Sequence, residues 1–172
     1  MELRVKHPLS KKEIKNILRE LSRMFGEDIA GKLLKKKDDV VVAEFDKMTQ
    51  ILLVNGKPRF IKRGELIFPL VIALYELSDE EDLRRWPRRV VVDGGAVPHI
   101  LNGADVMAPG IVDADEDIGE GDLVFVVEEE YGRPLAIGIA LMDGKDMKER
   151  RKGKAVKVIH HARDRIWELT AR

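Results

Sequence analysis

Cysteine is absent from the 172 residues, so neither a disulfide nor a thiolate metal site can form, and a reducing, cytoplasmic compartment is expected. Long apolar runs are absent too. Nothing approaches the roughly 18 residues of a membrane span, and Met1 to His7 lack the apolar segment of a secretory signal. Net charge is missing as well: 31 Lys and Arg meet 31 Asp and Glu, so attraction to nucleic acid can only come from how charge is distributed. What remains is 44% hydrophobic and 36% charged, the composition of a soluble globular chain forming one domain or two small ones. High charge without Cys also suits a thermophile.

Motifs of familiar chemistry are missing. Gly94-Gly95 belongs to neither a dinucleotide-binding nor a Walker pattern, since Gly-x-Gly-x-x-Gly and Gly-Lys-Ser/Thr do not occur. No Ser sits in a recognisable nucleophile elbow. Asp113-Ala-Asp-Glu-Asp117 starts like a calcium loop. It carries Ile118 where the sharp turn needs Gly and Val124 where a bidentate Glu completes the shell, so it reads as a solvated acidic turn. His160 and His161 are strand neighbours on opposite faces and cannot share an ion. No catalytic centre, metal site or cofactor is expected.

Ser10-Lys-Lys-Glu13 is a capping box. It opens a helix with Ile14, Ile17, Leu18, Leu21, Met24 and Phe25 on one face, closed by Gly26. Lys11, Lys15, Arg19 and Arg23 recur every four residues beside that face, either as a solvated flank or as a stripe turned toward nucleic acid. A second short helix is predicted over Ile29 to Lys35. Val40 to Phe45 and Thr49 to Val54 read as strands, Asn55-Gly56 as a tight hairpin turn, and Lys57 to Ile61 as the returning strand. Pro69 is expected at the first position of a helix carrying Leu70, Ile72, Ala73, Leu74 and Leu77. Ser78 to Pro87, acidic and ended by proline, is the expected boundary between an α+β domain, 1–87, and a second domain, 88–172.

The second domain reads as mostly β. Strands are predicted at Asp122 to Glu128, Pro134 to Met142 and Lys154 to His161, with turns at Tyr131-Gly132 and Asp143-Gly144. In the middle strand Ala136, Gly138 and Ala140 share one face, so something packs closely there. Charge is segregated: acidic from Asp93 to Asp143, basic from Lys145 through Lys148, Arg150, Arg151, Lys152, Lys154 and Lys157. That basic turn is either a solubilising surface or a set of phosphate partners.

The most informative stretch is Asp93-Gly-Gly-Ala-Val-Pro-His-Ile-Leu-Asn-Gly-Ala-Asp-Val-Met-Ala-Pro-Gly-Ile111, which follows the apolar run Val90 to Val92. Gly94-Gly95 lets the backbone leave a strand and approach a neighbour. Ala96 to Leu101 suffices for about a turn and a half of helix. Gly103 can stop that helix in the left-handed conformation, and Pro109-Gly110 ends a second extended piece, Val106 to Ala108. A bare helix N-terminus between two strands would offer unpaired N–H groups to an anion. His99 lines that groove or lies on an ordinary helix surface.

This stretch resembles the signature of the PUA domain, an RNA-binding module. Asp93-Gly-Gly-Ala96, Leu101 to Ile111 and Gly121-Asp-Leu-Val124 carry the resemblance. So do Leu135 to Ala140, Lys152-Gly-Lys-Ala155 and Asp164-Arg-Ile-Trp167. Length and layout resemble the archaeal relatives of the malignant-T-cell-amplified and translation-machinery-associated proteins, in which a pre-PUA domain precedes the PUA domain. The implied fold is α+β: an α+β pre-PUA domain, then a PUA pseudo-barrel of mostly β-strands with one or two short helices.

The resemblance also implies a function: non-catalytic binding of a structured RNA end, such as a tRNA 3′ end or small-subunit rRNA, in translation initiation or recycling. The residues it implies are Gly94, Gly95 and Ala96 at the helix N-terminus and Leu101, Gly103, Ala104, Met107, Ala108, Pro109 and Gly110 on the groove wall. Arg150, Arg151, Lys152, Lys154 and Lys157 supply counter-charge. Implied partners are RNA, the small ribosomal subunit and an initiation-type protein, with the chain a monomer and no membrane involved. A ribosome-biogenesis factor, a protein-interaction adaptor and a subunit of an RNA-modification enzyme are the alternatives.

Overall fold

The structure is a computed structural model in which residues 3–171 are described. The chain divides between Ala73 and Leu74 into two compact units.

In the first unit Ser10 caps α1 (Lys11–Phe25): its hydroxyl accepts from the Glu13 N–H and its own N–H donates to Glu13 Oε1, both at 3.1 Å. Ile14, Ile17, Leu21 and Phe25 are buried, each contributing about 1.5–3 kcal/mol. Gly26 turns the chain at φ 85° into α2 (Glu27–Leu33), which starts and ends two residues before the predicted helix. The strands are β1 (Arg4–Pro8), β2 (Val40–Glu44), β3 (Gln50–Val54), β4 (Lys57–Arg63) and β5 (Leu66–Pro69), in spatial order β1-β2-β3-β4-β5. Asn55 and Gly56 both take positive φ at the β3–β4 turn, as that dipeptide predicts. Pro69 does not open the helix: it ends β5, paired with Phe60, and α3 (Val71–Leu77) begins after Leu70. β5 is an edge strand, where a residue without an N–H costs no ladder bond.

In the second unit Leu83 and Trp86 are buried, and Trp86 meets Phe125 edge-on with ring centroids 6.1 Å apart. The six strands are β6 (Arg89–Val92), β7 (Val106–Met107), β8 (Ile111–Ala114), β9 (Leu123–Glu128), β10 (Pro134–Ala140) and β11 (Lys154–His161). They form one sheet, ordered β7-β11-β10-β9-β6-β8, that curls into a nearly closed pseudo-barrel. Among the described residues only β6 and β9 run parallel. Val90, Val92, Ile100, Val124, Val126, Ala136 and Val156 belong to its core. The close packing expected at Gly138 is with β11: a Cβ there would strike the Val156 side chain and the Lys157 carbonyl.

Three short helices join this sheet: α4 (Val97–Leu101), α5 (Gly144–Glu149) and α6 (Arg165–Thr170). The expected Asp143-Gly144 turn is the start of α5. Its Gly144 lies against the Asp115 carbonyl, and Met147 is fully buried, which holds the segment as a helix. α6 is capped by Asp164, whose carboxylate accepts from the Trp167 N–H at 2.8 Å. Among the described residues no helix is long and apolar enough to cross a membrane.

Candidate functional site

The site forms where β6 leaves the sheet. Val90, Val91 and Val92 are buried, and at Asp93 the chain turns outward. The Asp93 N–H donates to the Gly110 carbonyl at 2.9 Å, tying together the two ends of the 93–110 excursion. A Cβ on Gly110 would lie 3.2 Å from that of Ala96, so a side chain there would crowd this approach. α4 ends as predicted, with Gly103 at φ 92° and its N–H on the Ile100 carbonyl. After β7 the chain takes a 3-10 turn over Ala108–Gly110 rather than staying extended through Ala108. The Ala108 N–H donates to the Gly153 carbonyl at 2.8 Å, which ties this turn to the approach to β11.

Between these segments lies an open cavity of about 830 Å³. Gly95, Ala96, Gly103, Ala104, Met107, Pro109, Gly110 and Lys154, all singled out by the motif, line it. Met107 is 46% exposed, a large polarizable side chain left uncovered on the cavity wall. The other motif residues stand elsewhere. Gly94 is exposed, with open space where a Cβ would go; Leu101 packs against the barrel core; Ala108 is wholly buried. Arg150, Arg151, Lys152 and Lys157 are exposed and do not line the cavity. Arg150 approaches Asp146 at 3.8 Å, and Lys157 lies in mid-strand opposite Ile139.

Part of the helix N-terminus is bonded within the loop itself. The Ala96 N–H donates to both the backbone oxygen and, at 3.0 Å, the side-chain Oδ1 of Asp93, and the Val97 N–H donates to the Gly94 carbonyl. Pro98 has no N–H to give. Asp93 thus holds, with its own carboxylate, the N–H of Ala96 just before the helix.

Two carboxylates line the cavity that the motif reading passes over, Asp93 and Asp105. Asp105 accepts from the Val158 N–H at 3.0 Å and pairs with Lys154 at 3.5 Å. The available signal was local: an Asp beside a glycine turn commonly bonds a nearby backbone N–H and holds the loop. His99 lines the cavity as well and is exposed. The inner surface therefore combines apolar walls, two carboxylates and one Lys. It is suited to neutral polar groups such as nucleobase edges and ribose hydroxyls more than to phosphates.

Behind the site, His160 is 1% exposed and bonds Asp164 at 2.7 Å through Nδ1. Burial alone would raise the Asp164 carboxyl, but its bonds to His160 and to the N–H groups of Trp167 and His161 hold it below the usual carboxylate range. His161 stands against the Gly103 turn, where a Cβ would lie 3.3 Å from its Nε2.

The family described as PUA domain matches residues 88–162, and a domain of unknown function, DUF1947, matches residues 5–76. A crystal structure of a hypothetical protein from the hyperthermophilic archaeon Pyrococcus horikoshii OT3 is 79% identical, covering 95% of this chain and 98% of its own, with a TM-score of 0.94. An uncharacterized protein of Methanocaldococcus jannaschii is 45% identical over 98% of this chain and 99% of its own length. Translation machinery-associated protein 20 of Schizosaccharomyces pombe is 30% identical over 78% of both chains. With a pre-PUA unit, a PUA pseudo-barrel and this level of identity, the chain belongs to the family of translation machinery-associated protein 20 and malignant T-cell-amplified sequence 1.

Proposed function

We propose that the chain is a non-catalytic RNA-binding protein of the translation machinery, and that its PUA cavity takes the unpaired nucleotides of an RNA end. The observation that carries this reading is the open cavity of about 830 Å³ among α4, β7 and the start of β11. Its walls offer flat apolar contact to a base through Met107 and Pro109. Asp93 and Asp105 can accept from exocyclic amines or ribose hydroxyls, and Lys154 stands at the edge for a flanking phosphate. Gly94, Leu101 and Ala108 act through the shape of the wall, not by touching RNA. Arg150, Arg151, Lys152 and Lys157 act at longer range on the adjoining backbone. A tRNA 3′ end or exposed small-subunit rRNA is the target, bound by a cytoplasmic monomer working with the small ribosomal subunit and an initiation-type protein. The translation names of the relatives support that setting.

The test is fluorescence-anisotropy binding of the full chain to one tRNA with and without its 3′ single strand. Trimming should weaken binding at least tenfold. Equal affinities would sink the end-binding reading and favour the adaptor.

A further inference from the structure

Net charge is zero over the chain, but it is not zero in either unit. Through Ala73 there are 16 Lys and Arg against 10 Asp and Glu, leaving +6. From Leu74 onward there are 15 against 21, leaving −6. The unit that carries the PUA cavity is therefore the one a polyanion avoids, and the pre-PUA unit is the one it seeks. A stretch of phosphates bound by this protein is attracted first to the N-terminal unit.

The excess is focused on one face. At 3.6 residues per turn, Lys11, Lys12, Lys15, Arg19 and Arg23 fall within a sector of about 120° around α1, and Glu13 and Glu20 lie about 60–80° beyond its edge. All five cations are exposed, while Ile14, Ile17, Leu21 and Phe25 occupy the opposite, buried sector. The two carboxylates are already engaged: Glu13 closes the capping box, and Glu20 pairs with Arg23 at 2.7 Å. The sector runs about 18 Å along the helix, the reach of a chain of phosphates and not of a single one. Beside it, Leu18 and Ser22 of α1 form one wall of a groove of about 460 Å³, whose other wall runs from Glu27, its one acidic lining residue, to Lys35 and Lys36. Lys35, Lys36 and Lys37 are exposed. Cations thus flank this groove on both sides.

We propose that the α1–α2 face of the pre-PUA unit is a second RNA-binding surface. It takes the sugar-phosphate backbone of a folded RNA without reading sequence, while the cavity in the other unit selects the end. The choice of RNA as the occupant rests on the function proposed above; the polyanion site itself rests on the charge map.

The probe is a blunt RNA duplex of about 16 base pairs, which offers the cavity no single strand. Full-length protein would be titrated by anisotropy across a salt series. Removing one cation that neutralises a phosphate should make the log–log salt slope shallower by about 0.9. Lys11→Ala, Lys15→Ala and Arg19→Ala together should therefore reduce it by about 2–3 units and weaken low-salt binding at least tenfold. A control with the same charge change, Lys47→Ala, Lys57→Ala and Lys145→Ala, should move the slope by less than one unit. Thermal melting would confirm that both variants fold; if the first does not, Lys35→Ala with Lys36→Ala tests the same groove. Equal slopes for variant and control, no duplex binding by wild type at low salt, or tighter binding to a poly-glutamate peptide than to the duplex would each overturn the proposal. Because the duplex has no tail, failure of end selection by the cavity would leave this result readable.

Discussion

At the scale of single residues, two contacts hold the site from behind. Gly138 lets β10 lie flush against β11, whose first residue, Lys154, lines the cavity. Gly138→Ala should destabilise the protein by at least about 1–3 kcal/mol, because the added methyl meets backbone that cannot move aside. A urea or thermal melt checks this, and a shift under about 0.5 kcal/mol would contradict it. The alternation in Pro134 to Met142 made that close contact legible in the sequence, although not its partner. The pair of buried His160 and half-buried Asp164 was less legible, because strand neighbours read only as pointing apart. Asp164 titrates below the usual carboxylate range when folded. Its contribution is thus full above the unfolded value of about 3.9 and lost as pH falls through the lower folded value. Between about pH 5 and 2 the melting temperature should fall, and it should fall less steeply in Asp164→Asn. Parallel curves would assign the acid sensitivity elsewhere.

At the scale of elements, the sequence was most readable where a local rule acts alone. The capping box at Ser10, the Asn55-Gly56 turn and the Gly103 cap each form as the residues dictate. Ser10→Ala should cost about 1 kcal/mol by denaturant unfolding, and an unchanged stability would mean the α1 terminus is held by packing instead. Elements fixed by pairing with distant chain were not readable. β1 is exposed at every position, so it has no apolar alternation to announce it. β5 ends in Pro69, whose usual place at a helix start pointed the other way. The N-terminus of α4 shows the same limit at the site. The glycines announce a turn there, but only the fold reveals that Asp93 supplies the acceptor. Likewise the basic run after Lys145 is spread over three places: Lys145 and Lys148 on α5, Arg150, Arg151 and Lys152 in the loop after it, and Lys154 and Lys157 on β11, with only Lys154 on the cavity lining.

At the scale of the whole molecule, charge is divided between an acidic unit with a shaped cavity and a basic unit with a charged face. Under the proposed function, base and ribose contacts in the cavity involve few phosphates and should depend weakly on salt, whereas backbone contacts on α1 should depend on it steeply. Affinity and end preference should therefore separate. The most direct measurement is the ratio of dissociation constants for trimmed and intact tRNA at two salt concentrations, for example about 50 and 200 mM. Both affinities should drop steeply between them, by about a hundredfold or more if several phosphates are engaged. Their ratio should stay near its low-salt value of tenfold or greater. A ratio near one at both salts would contradict end selection by the cavity, and a ratio that collapses with the affinities would mean the 3′ strand is held by charge alone.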